Sequence, residues 1–278
     1  MKGEVRKLKA KPLTIDDTFT KDGLEAVSTL TGKEPYYVVG GMATQSYLPS
    51  LCRRPTSDID LSIVRPLNYE AFKTLSGPVM EFLRDNGYSV ETGRGSRAFN
   101  LGVDNPQGDK LLIEFSRRNE KSFNRSKKHL ERELVHSKRK IIEGRNSTYS
   151  IATPEDIVVP KLVSSINSLA RNPELKQYLP SSEVSLSDGH IKERLDFIND
   201  LRESSMDSPS DLELFEELKL VSDIFDIRIL SEITGVNSRY FDEASCDWRA
   251  LHDSSYERDL LFNFILPQLN NSLVECSN

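Results

Sequence analysis

The stretch Tyr36–Val64, YYVVGGMATQSYLPSLCRRPTSDIDLSIV, organises this chain of 278 residues. It joins an apolar, β-branched run to a Gly-Gly turn, a short helical segment, and a second apolar run that carries Asp58 and Asp60. Strand side chains alternate between faces, so the two aspartates point the same way while Ile59 and Leu61 enter the core. A divalent cation is the usual partner that offsets the repulsion of two converging carboxylates. The alternative is that both aspartates line the solvent face of an edge strand.

Composition indicates a soluble globular protein. The chain is 37% hydrophobic and 29% charged, which is typical of folded domains. No apolar run approaches the length that spans a bilayer, and the first residues lack the apolar core of a secretory signal. The three cysteines, Cys52, Cys246 and Cys276, are odd in number and have no metal-ligand spacing, so we expect reduced thiols. We therefore expect a cytoplasmic protein with no membrane partner.

Charge is sorted along the chain. Between Arg117 and Arg145, eleven Lys and Arg residues stand against four Glu, a net charge of +7, whereas the rest of the chain carries −13. Clustered Lys and Arg bind phosphates and release counterions from nucleic acid. This basic segment, residues 117–145, is therefore a candidate nucleic-acid surface. A solvated helix face is the alternative interpretation.

Hydrophobic periodicity predicts a mixed α/β fold in two domains. Residues 1–150 should form an α/β domain with a small mixed sheet, and residues 151–278 should form a mostly helical domain. Besides the two apolar runs quoted above, strands are predicted near residues 88–91, 97–103 and 110–116. Helices are predicted near residues 20–31, 68–87 with a break or kink at Gly77-Pro78, 122–142, 153–170, 191–202, 211–230 and 257–266.

Gly40 and Gly41 follow the run YYVV and precede a helical segment. Backbone amides at such a turn can approach an anion with no side chain between them, which makes a phosphate cradle. A tight turn without a ligand is the ordinary alternative. The segment Arg53–Asp60 comes soon after it. Phosphate-binding amides beside paired carboxylates are the parts that grip a metal-bound triphosphate.

The motifs VVGGMATQSYL and RRPTSDIDLSI resemble the nucleotidyltransferase fold of the DNA polymerase β type, whose signature is hG[GS] followed by DxD. Together with the later TPEDIVVPKL, they look like the AbiEii/MenT group of toxin nucleotidyltransferases. The resemblance spans roughly residues 36–200. It implies that Asp58 and Asp60 bind Mg²⁺, with two ions in the site, and that Gly40 and Gly41 hold the triphosphate of an NTP substrate.

Further residues carry over from the same resemblance. Glu114, in KLLIEFS, matches the third metal-binding carboxylate on a neighbouring strand, and it interrupts an apolar run where an acid has no structural reason to be. Lys161 matches a lysine that follows the PED helix start and would contact the triphosphate. Asp196 matches an acid on a later helix. Asp200 lies one turn away, and Arg228 could complete this polar cluster.

Three residues that precede Asp58 are candidate nucleotide contacts. Arg53 and Arg54 could neutralise charge on the phosphates, since a guanidinium offers a planar set of donors. They could equally be a solvated pair in front of the strand. Thr56 could contact phosphate, be a modified residue, or simply be a strand residue with good β propensity.

The resemblance implies a toxin of a toxin-antitoxin system that transfers an NMP from an NTP to the tRNA 3′ end, with a cognate antitoxin protein as partner. Two alternatives stay open at this stage. One is a small-molecule nucleotidyltransferase of the aminoglycoside type, whose cationic substrate would suit an acidic cleft. The other is a non-catalytic nucleotide-binding module.

Overall fold

The structure is a computed structural model that describes residues 13–179, 187–208 and 211–265. The chain divides into two compact units. Unit 1 comprises Met1–Ser46 and Arg53–Thr153, and unit 2 comprises Tyr47–Cys52 and Pro154–Asn278. Both units contain residues that the sequence predicts to be functional.

Unit 1 is built on one mixed sheet of seven strands. Their bounds, from β1 to β7, are Tyr36–Val39, Asp58–Ile63, Ser89–Arg94, Ala98–Asp104, Lys110–Ser116, Lys138–Ile141 and Thr148–Ile151. The spatial order is β3-β4-β5-β2-β1-β7-β6. Strand β2 pairs in parallel with β5, and β1 pairs in parallel with β7, whereas the other neighbours are antiparallel. The mixed α/β class predicted from the sequence is confirmed, with two more strands than the pattern indicated.

One face of this sheet carries an aromatic and aliphatic core. The helices of the unit are α1 Thr18–Ser28, α2 Gly40–Gln45, α3 Tyr69–Asp85 and α4 Glu120–His136. Phe72 on α3 packs against Phe99 and Phe115 of the sheet, with ring centroids 5.0 and 5.3 Å apart. Ile59 and Leu61 of β2 are 0 and 2% exposed. Because strand side chains alternate, the opposite face of β2 carries its aspartates.

The basic segment forms two elements rather than one helix. The prediction of a helix over residues 122–142 is wrong beyond His136, where α4 ends. Strand β6 follows and pairs with β7, which in turn pairs with β1. Gly144, at φ +75°, lies in the connection between β6 and β7. Ladder pairing with a distant strand outweighs helical spacing here, because the sequence Lys-Arg-Lys-Ile also fits an exposed edge strand.

The predicted break at Gly77-Pro78 does not occur, because α3 is continuous through both residues. The buried side chains on either side of the proline, among them Leu75 and Val79, belong to one apolar stripe. Packing of that stripe against the sheet outweighs the hydrogen bond that proline cannot donate. Local propensity is here overridden by tertiary contacts.

Unit 2 contains helices only, as far as its described residues extend. They are α5 Pro154–Arg171, α6 Asp188–Asp207, α7 Leu212–Ile229, α8 Ser238–Ser245, α9 Arg249–His252 and α10 Tyr256–Ile265, with short 3₁₀ or π turns at Ser50–Cys52, Pro173–Tyr178 and Leu230–Thr234. Cys52 is buried and Cys246 is exposed, and both are free thiols; Cys276 lies outside the described residues. None of the described helices has the length and apolar character needed to cross a membrane.

Candidate active site

Three carboxylates meet on one face of the sheet in unit 1. Asp58 and Asp60 lie on β2 and Glu114 lies on β5, where the parallel ladder places Glu114 directly opposite Asp60. One oxygen atom from each of the three side chains lies within 4.8 Å of the other two. This group is called the carboxylate cluster below. Strand alternation keeps it apart from the apolar core, which the intervening residues of β2 enter.

Asp58 is oriented by the residue two positions before it. The Thr56 hydroxyl Oγ1 donates a hydrogen bond of 2.7 Å to Asp58 Oδ1, and both side chains are buried. The backbone of Thr56 exchanges two hydrogen bonds, of 2.8 and 2.9 Å, with that of Leu13. A hydroxyl fixed in this way holds the carboxylate in one orientation through a charge-assisted bond. Thr56 therefore has a positioning role that its β propensity alone does not indicate.

The Gly-Gly turn touches the same carboxylates. Gly40 has φ +70°, and a Cβ atom at this position would lie 2.6 Å from Asp60 Oδ2. A Cβ at Gly41 would lie 3.1 Å from Thr56 Oγ1 and 3.2 Å from Arg54 Nη2. Only glycine adopts the left-handed conformation without strain, and only a residue without a side chain leaves this space. Gly40 is therefore required by both its conformation and its close approach to Asp60, whereas Gly41 lies in close contact with Thr56 and Arg54.

The two arginines in front of β2 are held by partners within unit 1. Arg53 forms an ion pair with Asp16. Arg54 is buried, its Nη1 donates to the carbonyl of Pro55 at 3.3 Å, and its own carbonyl accepts from Gln45 Nε2 at 2.9 Å. Arg54 thus lies against the Gly-Gly turn, whereas the charge of Arg53 is offset by a carboxylate.

The donor set of the carboxylate cluster suits a hard divalent cation. Mg²⁺ and Ca²⁺ take oxygen ligands, and Mg²⁺ binds through carboxylates together with substrate phosphates. Three negative groups within 4.8 Å of one another repel unless a positive charge lies among them. The residues present therefore fit a Mg²⁺ site, and Asp58, Asp60 and Glu114 are the ligands that unit 1 offers.

Lys161 belongs to a buried ion cluster in unit 2. Its Nζ on α5 lies 2.7 Å from Asp223 Oδ1 and 2.8 Å from Asp226 Oδ2, both on α7. Asp226 is 1% exposed, and Lys219 forms a second ion pair with Asp223 at 2.5 Å. Burial alone would raise the pKa of Asp223, but the charges and hydrogen bonds of Lys161 and Lys219 outweigh it, so the pKa is lowered. Lys161 therefore joins α5 to α7, in addition to any contact with nucleotide.

We expect Lys161→Met to lower the free energy of unfolding by about 3–5 kcal/mol at neutral pH, because it leaves two buried carboxylates without their shared cation. Lys219→Met is the matched control: Lys219 is 45% exposed, so its loss should cost less than about 1 kcal/mol. Urea denaturation of both variants measures the difference. Equal costs for the two variants would show that Lys161 does not hold the helices together.

The same pair of proteins should differ less in acid. The pKa of Asp223 is lowered in the folded state, so its contribution to stability is present above the unfolded-state pKa and is lost as the pH falls through the folded-state pKa. The gap between wild type and Lys161→Met should therefore narrow as the pH falls from 7 to about 3. A constant gap across this range would contradict the electrostatic account.

Asp196 lines a cavity of about 930 Å³ within unit 2. Asp200 lies one helical turn further along α6 and lines the same cavity, together with Lys192 and Arg228. Arg228 also pairs with Glu232 at 3.0 Å. Burial is the main cause that lowers the pKa of Arg194, another lining residue. The predicted group of Asp196, Asp200 and Arg228 thus shares one cavity, whereas Lys161 binds the two aspartates of α7.

The structure brings most of the unit 1 candidates together and adds residues that sequence reasoning missed. Gly40, Gly41, Arg54, Thr56 and the carboxylate cluster form one contiguous group through the contacts given above. Asp223 and Asp226 were missed, although two acids inside the apolar run VSDIFDI were a signal of buried ion pairing. Asn100 was also missed, and the signal for it was a polar residue inside the apolar strand β4.

No protein-family model matches the chain, and no curated protein matches its sequence. Solved structures do. An antigenic nucleotidyltransferase-like protein from Paracoccidioides brasiliensis matches with 15% identity and a TM-score of 0.43, over 92% of this chain and 96% of that chain. MenT4, a nucleotidyltransferase toxin from Mycobacterium tuberculosis, matches with 15% identity and a TM-score of 0.37, over 87% of this chain and 90% of that chain.

A third similar structure is terminal uridylyl transferase 4 from Trypanosoma brucei with bound dUTP, at 14% identity and a TM-score of 0.27, over 81% of this chain and 71% of that chain. The similarity of this chain to the three proteins is one of structure, at 14–15% sequence identity.

Proposed function

We propose that this chain is a Mg²⁺-dependent nucleotidyltransferase that transfers an NMP from an NTP to an RNA acceptor. One observation carries the proposal: three carboxylates converge on a sheet face beside a Gly-Gly turn that has no room for a side chain. The carboxylates supply ligands for a cation, and the turn supplies backbone amides for phosphate oxygens. An arrangement that only stabilised the fold would have no need to gather three like charges.

Each residue of the candidate site in unit 1 would have its own role in this reaction. Asp58, Asp60 and Glu114 would hold Mg²⁺, which when bound lowers the pKa of the attacking hydroxyl and offsets charge on the leaving pyrophosphate. Amides of Gly40 and Gly41 would bind the triphosphate, and Arg54, beside Gly41, would offset its charge. Thr56 would keep Asp58 in the orientation that binding requires. The acceptor's hydroxyl would then attack the α-phosphorus in line with the leaving pyrophosphate, which is released.

Arg53, Lys161 and Asp196 are further proposed participants. Arg53 and Lys161 have carboxylate partners in the structure, so a contact with phosphate would compete with an ion pair. Asp196 lines a cavity whose wall also contains three basic side chains, Lys192, Arg194 and Arg228. We propose, from the motif resemblance, that Lys161 and Asp196 contact the nucleotide or the acceptor.

Helix α4, which lies within the basic segment, supports RNA as the acceptor. Tyr37 pairs with Ser62 across β1 and β2 and so shares the face of the sheet that carries Asp60, two positions from Ser62. The Tyr37 hydroxyl donates a hydrogen bond to Glu133 of α4, so α4 lies on this face. Lys121, Arg125, Lys127 and Lys128 of α4 are exposed. A positive surface on the face of the carboxylate cluster suits a polyanionic acceptor better than a cationic small molecule.

We expect the pair Lys127→Glu with Lys128→Glu to reduce RNA labelling by about tenfold at low salt, with a smaller effect at high salt, because fewer counterions are released on binding. A pair with the same charge change, Lys33→Glu with Arg249→Glu, replaces exposed cations outside the basic segment and is the control. The assay is transfer of label to RNA at two salt concentrations. Equal labelling by both pairs would remove α4 from the RNA surface.

We further propose that the acceptor is the tRNA 3′ end, that the chain acts as the toxin of a toxin-antitoxin system, and that a cognate antitoxin protein neutralises it in the cytoplasm. These proposals rest on the resemblance of its motifs to the AbiEii/MenT group. The cognate antitoxin would be a protein that suppresses the labelling of RNA by this chain.

The decisive experiment incubates the protein with Mg²⁺, total RNA and each α-labelled NTP in turn, beside an Asp58→Ala and Asp60→Ala double variant. Label that appears in tRNA-sized material with the intact protein, and not with the double variant, would support the proposal. Label in a small hydroxylated acceptor instead would support the aminoglycoside-type alternative. Metal-dependent NTP binding without transfer to any acceptor would support the non-catalytic binding module.

A further inference from the structure

A buried amide oxygen without a hydrogen bond lies on β4. Asn100 is 4% exposed, and its Oδ1 accepts no hydrogen bond from any residue that the structure describes. A buried, unpaired amide costs about 1–3 kcal/mol relative to a paired one. Such a group is unusual in a folded protein and calls for a specific reason. The neighbouring strand residues Phe99 and Leu101 are apolar and buried, so Asn100 is a polar residue within an apolar run.

The position of Asn100 gives that reason. In the antiparallel pairing of β4 with β5, Asn100 lies directly opposite Glu114. Glu114 in turn lies directly opposite Asp60 in the parallel pairing of β5 with β2. Residues directly opposite each other project from the same face, with Cβ atoms about 4.5–5.5 Å apart. Asp60, Glu114 and Asn100 therefore form one row of polar side chains across three adjacent strands.

The sheet leaves space beside this row. Gly102 follows Asn100 by two positions and so lies on the same face of β4. A Cβ atom at Gly102 would meet no atom within 4 Å. On the other side of Asn100, the residue opposite it on β3 is Gly93, which has no side chain to offer. The row thus continues the carboxylate cluster into a part of the sheet face where the residues opposite Asn100, Gly93 and Glu114, have no side-chain donor for its amide oxygen at neutral pH.

We propose that Asn100 is a fourth oxygen ligand of the cation site formed by Asp58, Asp60 and Glu114. An amide carbonyl is a hard, neutral ligand of the kind that Mg²⁺, Mn²⁺ and Ca²⁺ accept. It adds an oxygen without adding a fourth negative charge, which suits a cluster that already holds three. The inference deepens the proposed function but is tested by cation binding and needs no transfer activity.

The experiment measures Mn²⁺ affinity by isothermal titration and thermal unfolding of the metal-free protein. Asn100→Leu keeps a similar shape and removes the oxygen, and we expect Mn²⁺ binding about tenfold weaker or more. The melting temperature of the metal-free variant should stay the same or rise, because an unpaired buried polar group has been replaced by an apolar one. Asn124→Leu, at an exposed asparagine of α4, is the control and should leave Mn²⁺ affinity unchanged.

A second variant keeps the test valid if leucine disturbs the fold. Asn100→Asp retains an oxygen ligand and should bind Mn²⁺ at least as tightly as wild type. Equal Mn²⁺ affinity of Asn100→Leu and wild type would overturn the inference, and so would Asn100→Asp binding Mn²⁺ as weakly as a folded Asn100→Leu. Absence of Mn²⁺ binding by wild type would overturn this inference together with the cation site. Asn100-dependent Mn²⁺ binding without nucleotide transfer would uphold the inference and reject the proposed function.

Discussion

Asp60→Asn should abolish nucleotide transfer while making the cation-free protein more stable. Asp60 lies on β2, which pairs with β1 on one side and on the other with β5, the strand of Glu114. Loss of a ligand worth about 4 kcal/mol in the transition state corresponds to roughly 10³-fold in rate. Relief of repulsion among carboxylates within 4.8 Å of one another should add roughly 1 kcal/mol to the free energy of unfolding at neutral pH.

Differential scanning fluorimetry with and without Mg²⁺ checks the stability half of this prediction. Mg²⁺ should raise the melting temperature of wild type more than that of Asp60→Asn, because a ligand that binds only the folded state stabilises it more the tighter it binds. Glu81→Gln, an exposed neutralisation on α3, is the control for net charge. An equal rise in melting temperature with Mg²⁺ for Asp60→Asn and wild type would show that Asp60 is not a ligand of the cation.

Gly40→Ala should impair cation binding and transfer far more than Gly32→Ala. Both glycines have positive φ, +70° and +78°, so alanine costs about 1–2 kcal/mol of backbone strain at each. The surroundings differ: a Cβ at Gly32 meets nothing within 4 Å, whereas a Cβ at Gly40 lies 2.6 Å from Asp60 Oδ2. Alanine at position 40 must therefore displace the Asp60 carboxylate, and we expect transfer to fall by about 10²-fold.

The comparison of the two alanine variants separates strain from displacement. Urea denaturation gives the cost of each in stability, and Mn²⁺ titration gives the cost to the cation site. Gly32→Ala should lose stability and keep Mn²⁺ affinity, whereas Gly40→Ala should lose both. If Gly40→Ala keeps the Mn²⁺ affinity of Gly32→Ala, the turn does not constrain Asp60, and the close approach of the two motifs has no consequence for function.

The sequence predicts the local part of this site well, because the period-2 alternation of β2 fixes which face each side chain takes. Asp58 and Asp60 needed only that rule, and an acid inside an apolar strand marked Glu114. The pairing of Glu114 with Asp60 depends on strand order, which no local pattern contains. The motif resemblance supplied the expectation that the two strands are neighbours.

Two features depend on partners that are remote in the sequence. The pattern predicts a helix over Lys138–Ile141, but the hydrogen-bond partner of this segment, β7, comes later in the sequence. Lys161 stays a proposed nucleotide contact, and no local pattern indicates its ion pairs with Asp223 and Asp226 on another helix. In each case the deciding partner is remote, and tertiary pairing outweighs local preference.

The row of Asp60, Glu114 and Asn100 ties the site to the way the chain folds. These residues come from three strands, and a shift of β5 by one residue against β2 would turn Glu114 into the apolar core and bring Ile113 or Phe115 to the cluster. The parallel pairing of β2 with β5 also brings together segments that are far apart in the chain. Such non-local strand pairs form slowly during folding. A newly made or partly unfolded chain would therefore lack the complete ligand row, so cation binding reports on the finished sheet.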